Sequence, residues 1–268
     1  MQLDFNSAAY KLLLQMLVDK NLPILTLSEY FSDIYNQNQA ILIRHDVDRK
    51  PHNALQIAEI EFNLNIKSSY YFRVVPESFD INIMNQISKM GHEIGYHYED
   101  VDLIIRSSSK RLVRQEIIDS AYKSFCSNLS MFRRNFDIKT ICMHGSPLSK
   151  YDNRIIWETY DYKELDIIAE PYFDLDYDNF AYFTDTGRRW NGHKFSIRDK
   201  VTSKYRFNFK TTYEIIQNSD RLPDNLIFNI HTERWDDKKS LWFKNLIIQN
   251  IKNSIKYLVV KNRLRKIK

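Results

Sequence analysis

The sequence predicts an α/β protein, a distorted barrel of about seven parallel strands, and three observations lead there. Short runs of β-branched and aliphatic residues alternate with amphipathic helical stretches, as in a parallel sheet built from strand-helix-strand units. About seven such repeats fit within 268 residues, a usual length for a single α/β barrel. Most of the runs end in ionisable residues, and barrels carry their chemistry at the C-terminal ends of their strands. A doubly wound open sheet is the alternative that the same alternation allows.

The elements follow in order within one domain spanning residues 1–268. Residues 1–38 read as a helical extension, because the apolar positions recur at helical spacing and are interrupted by Gln15, Asp19 and Lys20. That interruption, with no basic segment ahead of it, also argues against a secretory leader. The first strand is expected at 40–44, within "ILIRHDVDRKP", followed by a helix over 51–63 with Pro51 in its first turn and Leu55, Ala58 and Phe62 as its apolar stripe. Strands at 67–75 and 92–98 come next, then a helix over 110–135 with Leu112, Ile117, Tyr122, Phe125 and Leu129 near one face. Further strands are expected at 139–144, 167–170, 181–184 and 226–231, before a basic terminal helix at about 239–268. Glycine (5) and proline (6) are too scarce to mark a linker.

Charge and composition exclude some functions. Residues 244–268 hold eight Lys or Arg and no acid, so the formal +5 becomes −3 for the rest of the chain. A mildly acidic body argues against a nucleic-acid partner. The two cysteines, Cys126 and Cys142, suit a reducing compartment and form no Cys-rich metal pattern. No apolar run approaches the ~18–20 residues of a bilayer span, so the expected location is cytoplasmic. The terminal helix allows two readings. Its stripe of Ile247, Ile251, Ile255 and Leu258 either packs on the barrel or rests on a membrane, where the basic residues from Lys261 onward would add weak attachment to anionic lipid.

The expected strand ends carry Arg44, His45, Asp46 and Asp48, then His92, Glu93, His97 and Glu99, then His144, then Asp185 and Arg188, and finally His231. Any one of these alone reads as a cap or a satisfied polar residue. Five of the seven histidines at equivalent strand ends point instead to one site offering imidazole and carboxylate to a catalytic divalent metal. Asp46 and Asp48 share a strand face, and two close carboxylates favour a cation between them. Such a pair suggests one Asp on the metal and the other as a base. An Asp-x-Asp calcium or magnesium loop is the competing reading, but the imidazoles favour a softer metal, zinc or a similar ion. Tyr96, Tyr98, Tyr151, Tyr172, Trp190 and Trp235 lie near these motifs and are candidates for stacking on a sugar, although most aromatic residues here belong to the core. His52 and His193 read as surface or capping residues, and His92 as a packed strand histidine.

"RHDVD", "IKSSYYF", "GHEIGYH" and "FNIH", spread over residues 41–235, resemble the motifs of the polysaccharide deacetylase (NodB-homology) superfamily of carbohydrate esterases. Together with "MHGSP" and "TDTGRRW" they look like an uncharacterised deacetylase-like subgroup found with surface-polysaccharide genes. The resemblance implies a NodB-like barrel and metal-dependent removal of an acyl group, acetyl above all, from an N- or O-acylated sugar that is nucleotide-linked, lipid-linked or oligomeric. It makes Asp46 the general base, Asp48 and His97 metal ligands, and His231 the general acid. The family's second histidine, four residues after the first, falls on Val101, and its Arg-x-Pro motif is replaced by His144-Gly145-Ser146-Pro147. The third ligand is therefore expected to be His144, or else Glu99. Arg44 or Arg188 would orient Asp46 or bind an acidic sugar, with cation–π packing as the other role for Arg188. Tyr98 or backbone amides would hold an oxyanion. A metal-free or non-catalytic sugar-binding protein on the same barrel, and a metal-dependent phosphodiesterase or nuclease using the Asp pair, are the alternative functions.

Overall fold

The structure is a computed structural model that describes residues 3–32, 35, 39–146, 149–191, 198 and 201–265, with side-chain burial described as far as residue 254. Pro147, His193, Lys266 and Lys268, and the side chains of Ile255, Leu258 and Lys261, lie outside the described set.

Seven strands form one parallel sheet: β1 (Ile24–Leu25), β2 (Ile41–Val47), β3 (Ser69–Phe72), β4 (Glu93–Tyr98), β5 (Ile141–Met143), β6 (Ala181–Thr184) and β7 (Leu226–His231). Their order is β5-β4-β3-β2-β7-β6, with β1 paired to the start of β2. From β2 to β5 each strand lies beside its predecessor, and β6 and β7 return to β2 from the other side. This is the cyclic order of a barrel rather than the reversing order of a doubly wound sheet. The sheet curls into a half-barrel without closing, and β5 and β6 are its edges.

Two of the expected strands coincide with β6 and β7. β2 runs further than expected, through Arg44, His45 and Asp46 to Val47, because those charged side chains all find buried partners. Residues 167–170 supply only an isolated bridge, Thr140 to Ala169, since Glu170 caps a helical turn at Pro171–Asp174 and so ends the extended segment. The first 38 residues contain α1 (Ser7–Asp19), capped by Asn6, but also β1, which joins the sheet.

Alternation along β2 divides the core. Ile41, Ile43 and Val47 pack into the main cluster between the sheet and its helices, whereas Ala40 and Leu42 join Tyr71, Cys142, Phe180 and Ile227 in a smaller cluster on the other face. The helix after β2, Pro51–Asn63, starts with Pro51 at its first position, and its inward residues are Ala54, Ile57, Ala58 and Glu61. This corrects the expected stripe: Phe62 is 52% exposed and a glutamate takes the inward place. A separate short helix, Asp100–Ser107, buries Val101 in the main core, and the long helix that follows it is Arg114–Arg133.

The terminal helix spans Lys239–Arg265, and no described helix is long and apolar enough to cross a membrane. Ile247 and Ile251 do not pack on the body; they are 60% and 56% exposed. Trp242 and Asn253 face inward instead.

Candidate metal centre

β4 pairs with β5 and is separated from β2 by β3 alone, and the C-terminal ends of β2, β4 and β5 bring Asp46, Asp48, His97 and His144 together. β2 ends at Val47, and the tight turn to Pro51 is closed by Lys50 in a left-handed conformation. Arg73, at the end of β3, donates to the Asp48 carbonyl at 3.0 Å and holds that turn down.

Asp48 Oδ1 lies 3.0 Å from His144 Nδ1 and 3.5 Å from His97 Nε2, and the two ring nitrogens are 3.2 Å apart. A tetrahedral ion with bonds of ~2.0–2.1 Å has ligand-to-ligand edges of about 3.3 Å, so three atoms at these spacings can share one ion. Octahedral edges at similar bond lengths are about 3.0 Å, so the spacing does not select zinc. Two further observations fit a cation. Asp48 Oδ1 is buried and no donor is aligned to hydrogen-bond it. His97 Nδ1 lies 3.0 Å from the Cys142 carbonyl, which can only accept, so Nδ1 carries the proton and Nε2 presents its lone pair to the cluster. Burial pushes the Asp48 carboxyl up, but the neighbouring His144 outweighs it and holds Asp48 well below the usual carboxylate range. A second trio, Asp46, His97 and Cys142, is also close enough to share an ion.

Asp46 has a different environment. Arg44, fully buried, approaches it through Nε and Nη2, both at 3.1 Å, and also donates to the Tyr172 hydroxyl at 3.0 Å. Burial raises the Asp46 carboxyl, yet Arg44, then His97 and His231, bring it below the ordinary value. Asp46 Oδ2 lies 4.0 Å from both His97 Nε2 and His231 Nε2. Asp46 therefore remains an anion committed to Arg44, between the candidate ligands and His231.

His231 enters from β7. Its Nδ1 is 2.8 Å from Asp185 Oδ1, and its backbone N–H donates to Asp185 Oδ2 at 3.1 Å. Arg234 and Trp235 also donate to Asp185, at 2.7 and 2.9 Å, so this carboxylate is fully occupied. Burial and Arg234 press the His231 ring below its ordinary pKa, and Asp185 more than compensates, leaving it raised.

The remaining expected site residues are elsewhere. Glu99 follows the end of β4 and pairs with Arg73, whose Nε donates to it at 2.7 Å, so it belongs to neither trio. Through Arg73 it braces the Asp48 turn. Arg188 lies against the rings of Phe5 and Trp242, at 5.8 and 5.0 Å, and donates to the Trp242 carbonyl, which is the packing role. Tyr98 is buried and bonded to Trp157 and Glu170, so its hydroxyl does not face the cluster. His45, grouped with the site by sequence, and His92, read there as a packed strand histidine, meet Glu61 on the opposite face of the sheet.

Three contributors were legible only as strand-end residues or not at all. Asp185 directly follows the strand beside the one bearing His231, Arg234 follows His231 by three positions, and Cys142, on β5, precedes His144 by two. Only the pairing of β6 with β7 turns the first of these hints into a contact. Compared with protein-family models and with curated proteins, the chain matches none.

Proposed function

We propose that this chain is a metal-dependent hydrolase that removes an acyl group from an N- or O-acylated sugar on a NodB-like barrel. The observation that carries the reading is the division of labour among neighbouring carboxylates. Asp48 is short of donors and faces two imidazoles, Asp46 is held ionised by Arg44, and Asp185 holds an imidazole. Together they offer metal-assisted hydrolysis a ligand, a base and a held acid.

Asp48, His97 and His144 would hold the ion, with zinc or a similar transition metal as the expected species. A divalent ion there supplies Lewis acidity toward an acyl carbonyl and toward water. Asp46 accepts the proton that water loses on attack, and its lowered pKa keeps it in the basic form at neutral pH. His231 presents Nε2 toward Asp46 while Nδ1–H is held by Asp185, so Nε2 can deliver a proton to the departing amine or alkoxide. Its raised pKa keeps that proton available further into the neutral range. Tyr172 bonds to Arg44 and lines a cavity of about 320 Å³, so it is the strongest of the aromatic candidates for meeting a sugar ring. The phosphodiesterase or nuclease alternative fits less well, because the mildly acidic body of the chain would repel a phosphate backbone.

The test is elemental analysis of the purified protein, followed by acetate release from acetylated nucleotide-sugars and lipid-linked oligosaccharides. About one divalent ion per chain and chelator-sensitive release are expected. Full release after complete removal of metal would refute the metal-dependent reading, and stoichiometric metal with no acyl release from any of these substrates would refute the deacylase reading.

A further inference from the structure

The terminal helix is amphipathic in the inverse sense. Its polar side faces the protein: Asn253 Nδ2 donates to the Gly187 carbonyl at 3.0 Å, Gln249 donates to Asn253 at 2.8 Å, and Asn245 bonds Asp236. Gly187 is required there, with φ +79° and with the Asn253 amide where a Cβ would stand. Trp242 anchors the start of the helix by donating to the Asp4 carbonyl at 2.6 Å. The other side presents Phe243, Ile247 and Ile251, at i, i+4 and i+8, flanked by Leu241 and Ile248, all exposed. Water normally drives the reverse arrangement, with the apolar stripe inward.

What covers this face is decided by charge. Lys239, Lys244 and Lys252 are exposed on the same helix, and from residue 244 onward the sequence has eight basic residues and no acid. Packing two such helices stripe to stripe would bring like charges together, whereas an anionic surface neutralises them. The helix also reaches the loop that follows Asp185, where Asn253 holds the Gly187 carbonyl.

We propose that the outer face of the Lys239–Arg265 helix docks on an anionic lipid membrane, Phe243, Ile247 and Ile251 entering the interface while the flanking basic residues meet the headgroups. The polar face stays on the protein, so docking requires no unfolding. This does not depend on the hydrolase reading, because its measurement needs neither metal nor turnover.

The experiment is co-sedimentation of the full chain with vesicles of phosphatidylcholine alone or of equimolar phosphatidylcholine and phosphatidylglycerol, at low and high salt. Wild type should sediment with the anionic vesicles at low salt and be released by high salt. The combined variant Phe243→Ser, Ile247→Ser, Ile251→Ser should lose at least about tenfold in partitioning, with an unchanged unfolding midpoint because these side chains are already exposed. Removing residues 261–268 should weaken the anionic binding as well. Equal sedimentation of wild type and the combined variant, or none by wild type, would overturn the proposal. So would a wild-type dimer that fails to bind vesicles and that the combined variant renders monomeric, since a second copy would then cover the face.

Discussion

His45 and Asp46 are adjacent in β2 and sit at the centres of two polar networks on opposite faces of one sheet. On the helix side, Glu61 Oε1 meets His45 Nε2 at 2.8 Å and the Tyr10 hydroxyl, and its Oε2 accepts from Ser68 and Tyr70 at 2.6 Å each. His92 completes this group: Nε2–H donates to the Ala58 carbonyl at 3.1 Å, which leaves Nδ1 to accept from Ser68. Glu61 has four donors for its two oxygens and no exposure. On the other face Asp48 has a buried oxygen with no aligned donor, two imidazoles beside it, and a side chain 20% exposed. Both regions are rich in histidine and carboxylate. The difference lies in supply: a carboxylate saturated with donors stabilises a fold, and one left short of them is available to a cation.

That contrast can be broken or sharpened by substitution, and the largest effect is expected at Asp48. Asp48→Ala should lose bound metal and turnover together, a drop beyond the ~10²–10⁴ supplied by a proton-transfer residue. Full metal occupancy in this variant would erase the distinction between the two networks. Asp46→Asn comes next: metal content should stay at the wild-type level while turnover falls by about 10²–10⁴, and loss of metal instead would make Asp46 a ligand.

Glu61 should behave in the opposite way. Glu61→Ala strands His45, Tyr10, Tyr70 and Ser68, so the expected cost is about 3–5 kcal/mol of stability, measured by denaturant unfolding, with wild-type metal content in the folded fraction. Acid titration sharpens the point. Burial pushes the Glu61 carboxyl up, but His45, then His92 and Ser68, bring it from 4.5 to about 2 in the folded protein. A depressed carboxyl contributes stability above its unfolded value and loses it as pH falls through the folded one. The contribution, on the order of 3 kcal/mol, should therefore disappear between about pH 4.5 and pH 2. Glu61→Gln should lack this part of the acid slope, and an identical slope in both proteins would assign the linkage to other groups.

The smallest effect is expected at Asp185, which acts through His231. Asp185→Asn should keep the metal, slow turnover by about tenfold, and move the basic limb of the pH profile downward. The sign follows from the raised His231 pKa. With Asp185 present the ring keeps its proton to higher pH, and without it the proton leaves sooner. An unmoved limb would mean that His231 is not the group titrating there.

The sequence by itself determined the parallel α/β class, most of the strand positions, and the C-terminal strand ends as the place where ionisable residues gather. These are local properties: the period of apolar residues, the proline at a helix start, and the clustering of His and Asp after each apolar run. It read His92 as packed but could not separate His45 from the histidines of the site. His45 and His97 each lie near the end of a charged strand, and their destinations depend on which face of the sheet each occupies and what stands opposite. Burial of Glu61 on the helix side claimed His45 and His92, although the apolar pattern of that helix pointed to Phe62 instead. Likewise Glu99, two residues beyond His97, would share its face only on a strand that ran on; β4 stops at Tyr98 and Arg73 takes the carboxylate. Pairing across strands decided the rest, bringing Asp185 to His231 and the Cys142 carbonyl to His97. A side chain's chemistry is written in its own residue, but whether it is satisfied or free depends on its partners, which for His45, His97 and His231 stand 16, 45 and 46 positions away, and only the folded chain brings them together.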